Sequence, residues 1–67
     1  MKTLKEFQKL VEFAIKEEKK AQDLYKSMAD KTKDPFVKAV LLGLHEEELA
    51  HEEKLRNLLE TLKPDAF

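Results

Sequence analysis

The 67-residue chain is one domain at most, and a core this small supplies only about 3–5 kcal/mol, so we expect oligomerisation or a bound metal to stabilise the fold. The absence of cysteine excludes disulfides, thiolate metal sites, iron–sulfur clusters and thiol catalysis. A net charge of −1 argues against a nucleic acid partner. No apolar run approaches the roughly 20 residues that cross a bilayer, and the N-terminus lacks the apolar stretch of a signal peptide. We therefore expect a cytoplasmic protein.

The first predicted element is a long helix over about residues 3–29. Thr3 and Glu6 fit the capping-box pattern, in which the threonine hydroxyl accepts a hydrogen bond from the backbone amide of the glutamate. No helix breaker follows before the polar segment 30–34, which is predicted to be a turn.

The second predicted helix spans about residues 35–62. Asp34 is a favourable N-cap, Pro35 suits the first helical position, and Pro64 ends the helix. The connection is short, so the two helices should be antiparallel neighbours, and the predicted fold class is an all-α two-helix hairpin. Gly43 lies within this helix at a cost of up to about 1 kcal/mol, which suggests close packing there.

Each predicted helix carries an apolar stripe with three- and four-residue spacing. The first consists of Leu4, Phe7, Val11, Ala14, Glu18, Ala21, Tyr25 and Met28. The second consists of Val37, Leu41, Leu44, Glu48, His51, Leu55, Leu58 and Leu62. A hairpin cannot enclose its own stripes, so we predict that two copies pack stripe to stripe into a four-helix bundle.

The polar residues in these stripes are predicted to meet at one level of the bundle. Glu18 and Glu48 have residue numbers that add to 66, as do apolar pairs on either side, and His51 lies one turn from Glu48. The dimer would then hold four carboxylates and two imidazoles in its interior. Each desolvated ion costs several kcal/mol unless it is paired, and the stripes contain no lysine or arginine. Either a positive charge lies in this layer or the carboxylates are protonated, and a pair of divalent cations is the simpler solution.

The spacing of these residues indicates the class of metal site. Glu48 and His51, at i and i+3, place a carboxylate and an imidazole side by side on one helix. Two glutamates with two Glu-x-x-His pairs are the ligand set of di-iron and di-manganese helical bundles. Ligation that is rich in oxygen suits iron or manganese, and zinc also remains open.

At these residues the chain resembles the rubrerythrin branch of the ferritin-like superfamily. The resemblance rests on the segment 18–25, which places Glu18 and Tyr25 seven residues apart, and on the segment 48–51, and it extends over about residues 7–59. Most rubrerythrins carry this two-helix unit twice. The half-length form is similar to the encapsulated ferritin-like proteins, in which paired subunits complete a ferroxidase site.

The resemblance implies a function and a ligand set. Glu18 and Glu48 would be bridging or terminal ligands, His51 a terminal ligand, and Tyr25 a neighbour of the ligands. The implied activity is oxidation of Fe(II) by dioxygen or peroxide, with two iron ions per dimer. The implied partners are further copies of the chain, as a homodimer or higher homo-oligomer, and an encapsulating shell or iron-storage partner. The chain lacks a rubredoxin-like cysteine module, and its tail, residues 63–67, shows no clear shell-targeting segment.

Two alternatives stay open at this point. The chain could be a structural or interaction dimer whose Glu/His layer only fixes the helical register, or it could hold zinc or manganese without redox activity. Glu47 and Glu52 flank the stripe and could pass cations inward or act as auxiliary ligands, and His45 is predicted to be a flanking or interface residue.

Four further apolar residues point away from the stripes. They suggest a second interface and an assembly larger than a dimer. These residues are Phe13, Leu24, Leu42 and Leu49.

Overall fold

A computed structural model describes residues 3–63 as two long helices. Helix α1 spans Leu4–Lys31 and helix α2 spans Pro35–Thr61. The helices pack against each other along a rod of 48 × 18 × 16 Å, which is a single layer two helices wide. The predicted all-α hairpin is therefore confirmed for the described residues.

Both ends of α1 have clear physical causes. The Thr3 hydroxyl accepts a hydrogen bond from the backbone amide of Glu6 at 3.1 Å, as the capping pattern predicts. The helix continues two residues beyond its predicted end, to Lys31. Lys26 forms an ion pair with Asp30 at 2.9 Å near the end of the helix. Lys31, in the last turn, interacts favourably with the helix dipole.

Helix α2 begins at a strong N-cap. Asp34 Oδ1 accepts hydrogen bonds from the backbone amides of Phe36 at 2.8 Å and Val37 at 3.1 Å, with Pro35 in the first turn. Only residues 32–34 join the helices, which makes them antiparallel neighbours. Pro64, which we predicted to end the second helix, lies outside the described residues.

A narrow seam between the two helices contains the whole buried core of the described chain. Its buried residues are Val11, Ile15, Ala29 and Leu41. Because each helix has one neighbour only, most of the apolar surface of both helices has nothing to pack against within the hairpin.

Beside the seam lies a second, exposed apolar surface, which we call the apolar face and which contains part of each predicted stripe. It consists of Phe7, Leu10, Met28, Val37, Val40 and Leu58. Four of these residues directly precede a buried or half-buried residue of the seam, in the pairs Leu10–Val11, Met28–Ala29, Val40–Leu41 and Leu58–Leu59. The same rotation away from the seam on two antiparallel helices leads to the same side of the hairpin, so these side chains form one surface.

The register of the two helices differs from the predicted one. Side chains of α1 donate two hydrogen bonds to backbone carbonyls of α2, from Gln8 to Leu62 and from Gln22 to Glu48. In both pairs the residue numbers add to 70, not to the predicted 66. A shift of about one helical turn leaves the same faces opposite each other, so the apolar spacing alone is compatible with either register.

Gly43 does not mark a close contact within the hairpin. A Cβ atom at this position would meet nothing within 4 Å, so the packing that we predicted from the glycine is not present in this chain. Neither helix of the described residues has a segment long and apolar enough to span a membrane.

Candidate metal centre

Glu18 of α1 meets Glu48 and His51 of α2 near the middle of the rod. The three side chains offer ligand atoms that all lie within 4.8 Å of one another. Nδ1 of His51 lies 3.5 Å from Oε2 of Glu18 and 3.7 Å from Oε1 of Glu48. Two ligand atoms about 2.1 Å from one ion lie about 3–4 Å apart, so this spacing fits a single bound cation.

Apolar layers of the seam position the group from both ends. Along α1, Val11 and Ile15 are buried before Glu18, and Ala29 is buried after it. Along α2, the buried Leu41 precedes Glu48. The polar group is therefore enclosed lengthwise by packed side chains, as the sequence predicts.

The two carboxylates are partly buried, whereas the imidazole is open to one side. The side chains of Glu18 and Glu48 are 23% and 18% exposed, and that of His51 is 53% exposed. His51 directly precedes Glu52 of the seam, so by the same rotation it lies on the side of the apolar face. The group thus opens toward the apolar face.

One oxygen of this group has no hydrogen-bond donor. Oε2 of Glu18 is buried, and no group of the described residues donates to it. Within residues 3–63, neither Glu18 nor Glu48 forms an ion pair with a lysine or arginine. A buried carboxylate oxygen without a hydrogen-bond donor is unfavourable, and a cation in contact with it would remove the penalty.

The proximity of the two carboxyl groups also changes the protonation of Glu48. The pKa of Glu48 is raised, chiefly because protonated Glu48 can hydrogen-bond to Glu18, and further by partial burial and by repulsion from the Glu18 charge. His51 acts in the opposite direction but does not outweigh these causes. The close approach of Glu18 therefore disfavours the ionised form of Glu48.

A second polar cluster lies directly beside the ligand group. Nε2 of Gln22 donates to Oε1 of Glu52 at 2.7 Å, and Nε of Arg56 donates to Oε2 of Glu52 at 2.6 Å. The hydrogen bond from Gln22 and then that from Arg56 lower the pKa of Glu52, with a further contribution from the charge of Lys19. Glu52 is therefore a firmly ionised carboxylate.

This cluster bears on the prediction that Glu47 and Glu52 act as auxiliary ligands. Glu52 is not part of the group of converging ligand atoms, and both of its oxygens already accept hydrogen bonds. Glu47 is exposed and also lies outside the group, and His45 is half-buried one turn before Glu48. Sequence reasoning gave no role to Gln22.

The structure leaves the predicted role of Tyr25 as a prediction. Its side chain is half-buried on α1, about 10 Å along the helix axis from Glu18. None of the described residues forms a hydrogen bond with its hydroxyl group.

Comparison with known proteins identifies one family. The sequence model of the rubrerythrin family matches residues 9–66 of the chain. The match includes Glu18, Glu48 and His51. Neither the curated proteins nor the solved structures compared with the chain give a match.

Proposed function

The chain belongs to the rubrerythrin family, and on that premise we propose that it is a di-iron ferroxidase whose metal site is completed between two copies of the hairpin. The proposed ligands are Glu18, Glu48 and His51. Iron held there would supply the redox chemistry, in which two Fe(II) ions give one electron each to dioxygen or to peroxide.

The observation that carries this proposal is the unsatisfied oxygen of Glu18 within a preformed ligand group. Oε2 of Glu18 is buried without a donor and lies 3.5 Å from Nδ1 of His51. A site that served only to fix helical register would gain from a direct hydrogen bond at this atom. A site that binds a cation instead requires a free ligand atom there.

The geometry of one hairpin supports a site shared between two copies. One hairpin supplies two carboxylates and one imidazole, and the exposed His51 lies on the side of the apolar face. Packing two apolar faces together would bury their exposed side chains and bring two ligand groups into one interior layer. Four carboxylates then balance the charge of two Fe(II) ions.

Protein side chains would have defined roles before oxidation begins. Glu48 would bind the cation as a carboxylate, and its raised pKa means that protons compete with the cation more strongly there than at an ordinary glutamate. His51 would supply a neutral nitrogen ligand, and the apolar face of the second copy would exclude bulk water from the site.

Oxidation of Fe(II) by a matched pair of variants tests the proposal. Anaerobic protein is loaded with Fe(II), air is admitted, and the near-ultraviolet absorbance of Fe(III) is recorded. We expect Glu48→Gln to reduce the oxidation rate to that of Fe(II) in buffer. Glu46→Gln, which removes an exposed carboxylate from the same acidic stretch, should leave the rate unchanged.

Three results would contradict the proposal. Equal rates for Glu48→Gln and the wild type would exclude this site as the ferroxidase centre. Saturable binding of Fe(II) without oxidation would instead favour a non-redox zinc or manganese site, and no binding would favour the structural dimer.

A further inference from the structure

We propose that Gln22 is a positioning residue, which fixes the ligand-bearing turn of α2 against α1 through Glu52. The inference rests on the proposed function, because it assigns a role toward the same metal site. Nε2 of Gln22 donates to Oε1 of Glu52 at 2.7 Å and to the backbone carbonyl of Glu48 at 3.5 Å. One amide group of α1 thus contacts two positions on α2.

The two residues that Gln22 contacts mark the start and end of the helical turn that carries both proposed ligands of α2. Glu48 and Glu52 are one helical turn apart, and His51 lies within that turn. On α1, Gln22 itself follows Glu18 by one turn. The amide of Gln22 therefore ties the turn that carries Glu48 and His51 to the helix that carries Glu18.

Glu52 is held in place for this contact from its other side. Nε of Arg56 donates to Oε2 of Glu52 at 2.6 Å, and the Glu52 side chain is only 14% exposed. Each carboxylate oxygen thus has one donor, from Gln22 or from Arg56. With both oxygens engaged, Glu52 orients the helices and leaves cation binding to the neighbouring group.

The site needs such a contact because its ligands repel each other without a cation. Glu18 and Glu48 face each other across the seam, and burial weakens the screening of their charges. The other hydrogen bond between the helices in residues 3–63 joins Gln8 to Leu62 at the opposite end from the turn. Gln22 therefore supplies the hydrogen bonds that oppose separation of the helices at the level of the site.

Two glutamines allow a matched test, since both donate from α1 across the seam to a backbone carbonyl of α2. Gln22→Met and Gln8→Met each replace an amide with an apolar side chain of similar length. The dissociation constant of anaerobic Co(II) is measured by its visible absorption, and helicity by circular dichroism. We expect Gln22→Met to weaken Co(II) binding by about 10-fold and Gln8→Met to leave it unchanged.

An exchange of side chains separates the hydrogen bond from general stability. Gln22→Glu alone places two carboxylates together and should weaken Co(II) binding at least as much as Gln22→Met. Adding Glu52→Gln restores a donor–acceptor pair with the direction of the bond reversed, so the double variant should recover much of the affinity.

Three results would overturn the inference. In the first, Gln22→Met binds Co(II) like the wild type, or Gln8→Met weakens binding equally. In the second, the double variant binds no better than Gln22→Glu. In the third, wild-type protein binds no Co(II). This result would overturn the proposed function as well, whereas the first two results overturn the inference alone.

Discussion

Nδ1 of His51 lies 3.5 Å from Oε2 of Glu18, and this oxygen is buried without a hydrogen-bond donor. The imidazole and the carboxylate come from different helices, so the fold itself brings them together. A cation between them would be contacted by both atoms and would satisfy the buried oxygen. The stability of the cation-free hairpin should therefore be limited by its own ligands.

Glu48→Gln should stabilise the cation-free protein at pH 7. The pKa of Glu48 is raised in the folded state, so the folded state holds the proton more tightly than the unfolded state. Its contribution to stability is most favourable at low pH and is lost as pH rises through the raised pKa. Glutamine avoids this loss, and thermal unfolding in the presence of a chelator measures the difference.

The same pair of proteins should reverse order when metal is present. With free Co(II) at about 100 times its dissociation constant, the wild type should gain about 2.7 kcal/mol, whereas Glu48→Gln should gain little. A lower melting temperature of Glu48→Gln in chelator would contradict the repulsion between Glu18 and Glu48.

Glu52→Gln should show the opposite dependence on pH. The pKa of Glu52 is lowered by hydrogen bonds from Gln22 and Arg56, so its contribution to stability is present above the ordinary value of 4.5. That contribution is lost as pH falls through the lowered pKa. Wild type should exceed Glu52→Gln in free energy of unfolding at pH 7, and the gap should close on acidification. A gap that is independent of pH would exclude an ionic role for Glu52.

Val40→Glu should dissociate the proposed dimer. Val40 belongs to the apolar face, and each of the two unpaired carboxylates buried in the dimer would cost several kcal/mol. We expect the dimer dissociation constant to rise by more than about 100-fold, with loss of Fe(II) binding, as measured by light scattering and titration.

Leu49→Glu is the matched control for this change. Leu49 is also an exposed apolar residue of α2, but it directly follows Glu48 and lines a groove with Glu52 and Arg56 on the other side of the hairpin. This variant should keep the dimer. If both variants dissociate, or if neither does, the apolar face is not the specific interface.

Gly43→Ala should raise stability by up to about 1 kcal/mol. A Cβ atom at residue 43 meets nothing within 4 Å, and alanine is the better helix former. Denaturant unfolding monitored by circular dichroism measures the gain. A loss of stability would show that Gly43 contacts another copy of the chain in the assembly.

The sequence was sufficient to predict the hairpin and the meeting of Glu18, Glu48 and His51. Capping residues define where the helices begin, and the interruption of apolar stripes singles out the three polar residues. The stripes could not show which residues pack within the hairpin and which remain exposed. That division depends on the rotation of each helix about its axis. The apolar stripe is broader than the surface that one neighbouring helix covers, so it does not determine this rotation.

The register and the contact between Gln22 and Glu52 could not be predicted for a related reason. A shift of about one turn preserves the faces of both helices, so apolar spacing favoured pairs that add to 66 as readily as pairs that add to 70. Glutamine is common on helix surfaces, so the residue type alone does not distinguish Gln22. The available signal was the position of Gln22 one turn after Glu18. Glu52, which lies opposite, likewise follows Glu48 by one turn.

Native mass spectrometry of Fe(II)-loaded protein under anaerobic conditions tests whether two copies of the hairpin share the metal site. The proposal predicts a dimer, or a multiple of it, that carries two iron ions per pair of chains, and dimers without iron after chelation. A monomer that retains one iron ion would show that a single hairpin completes the site by itself. Absence of iron from every species would contradict a metal centre at Glu18, Glu48 and His51.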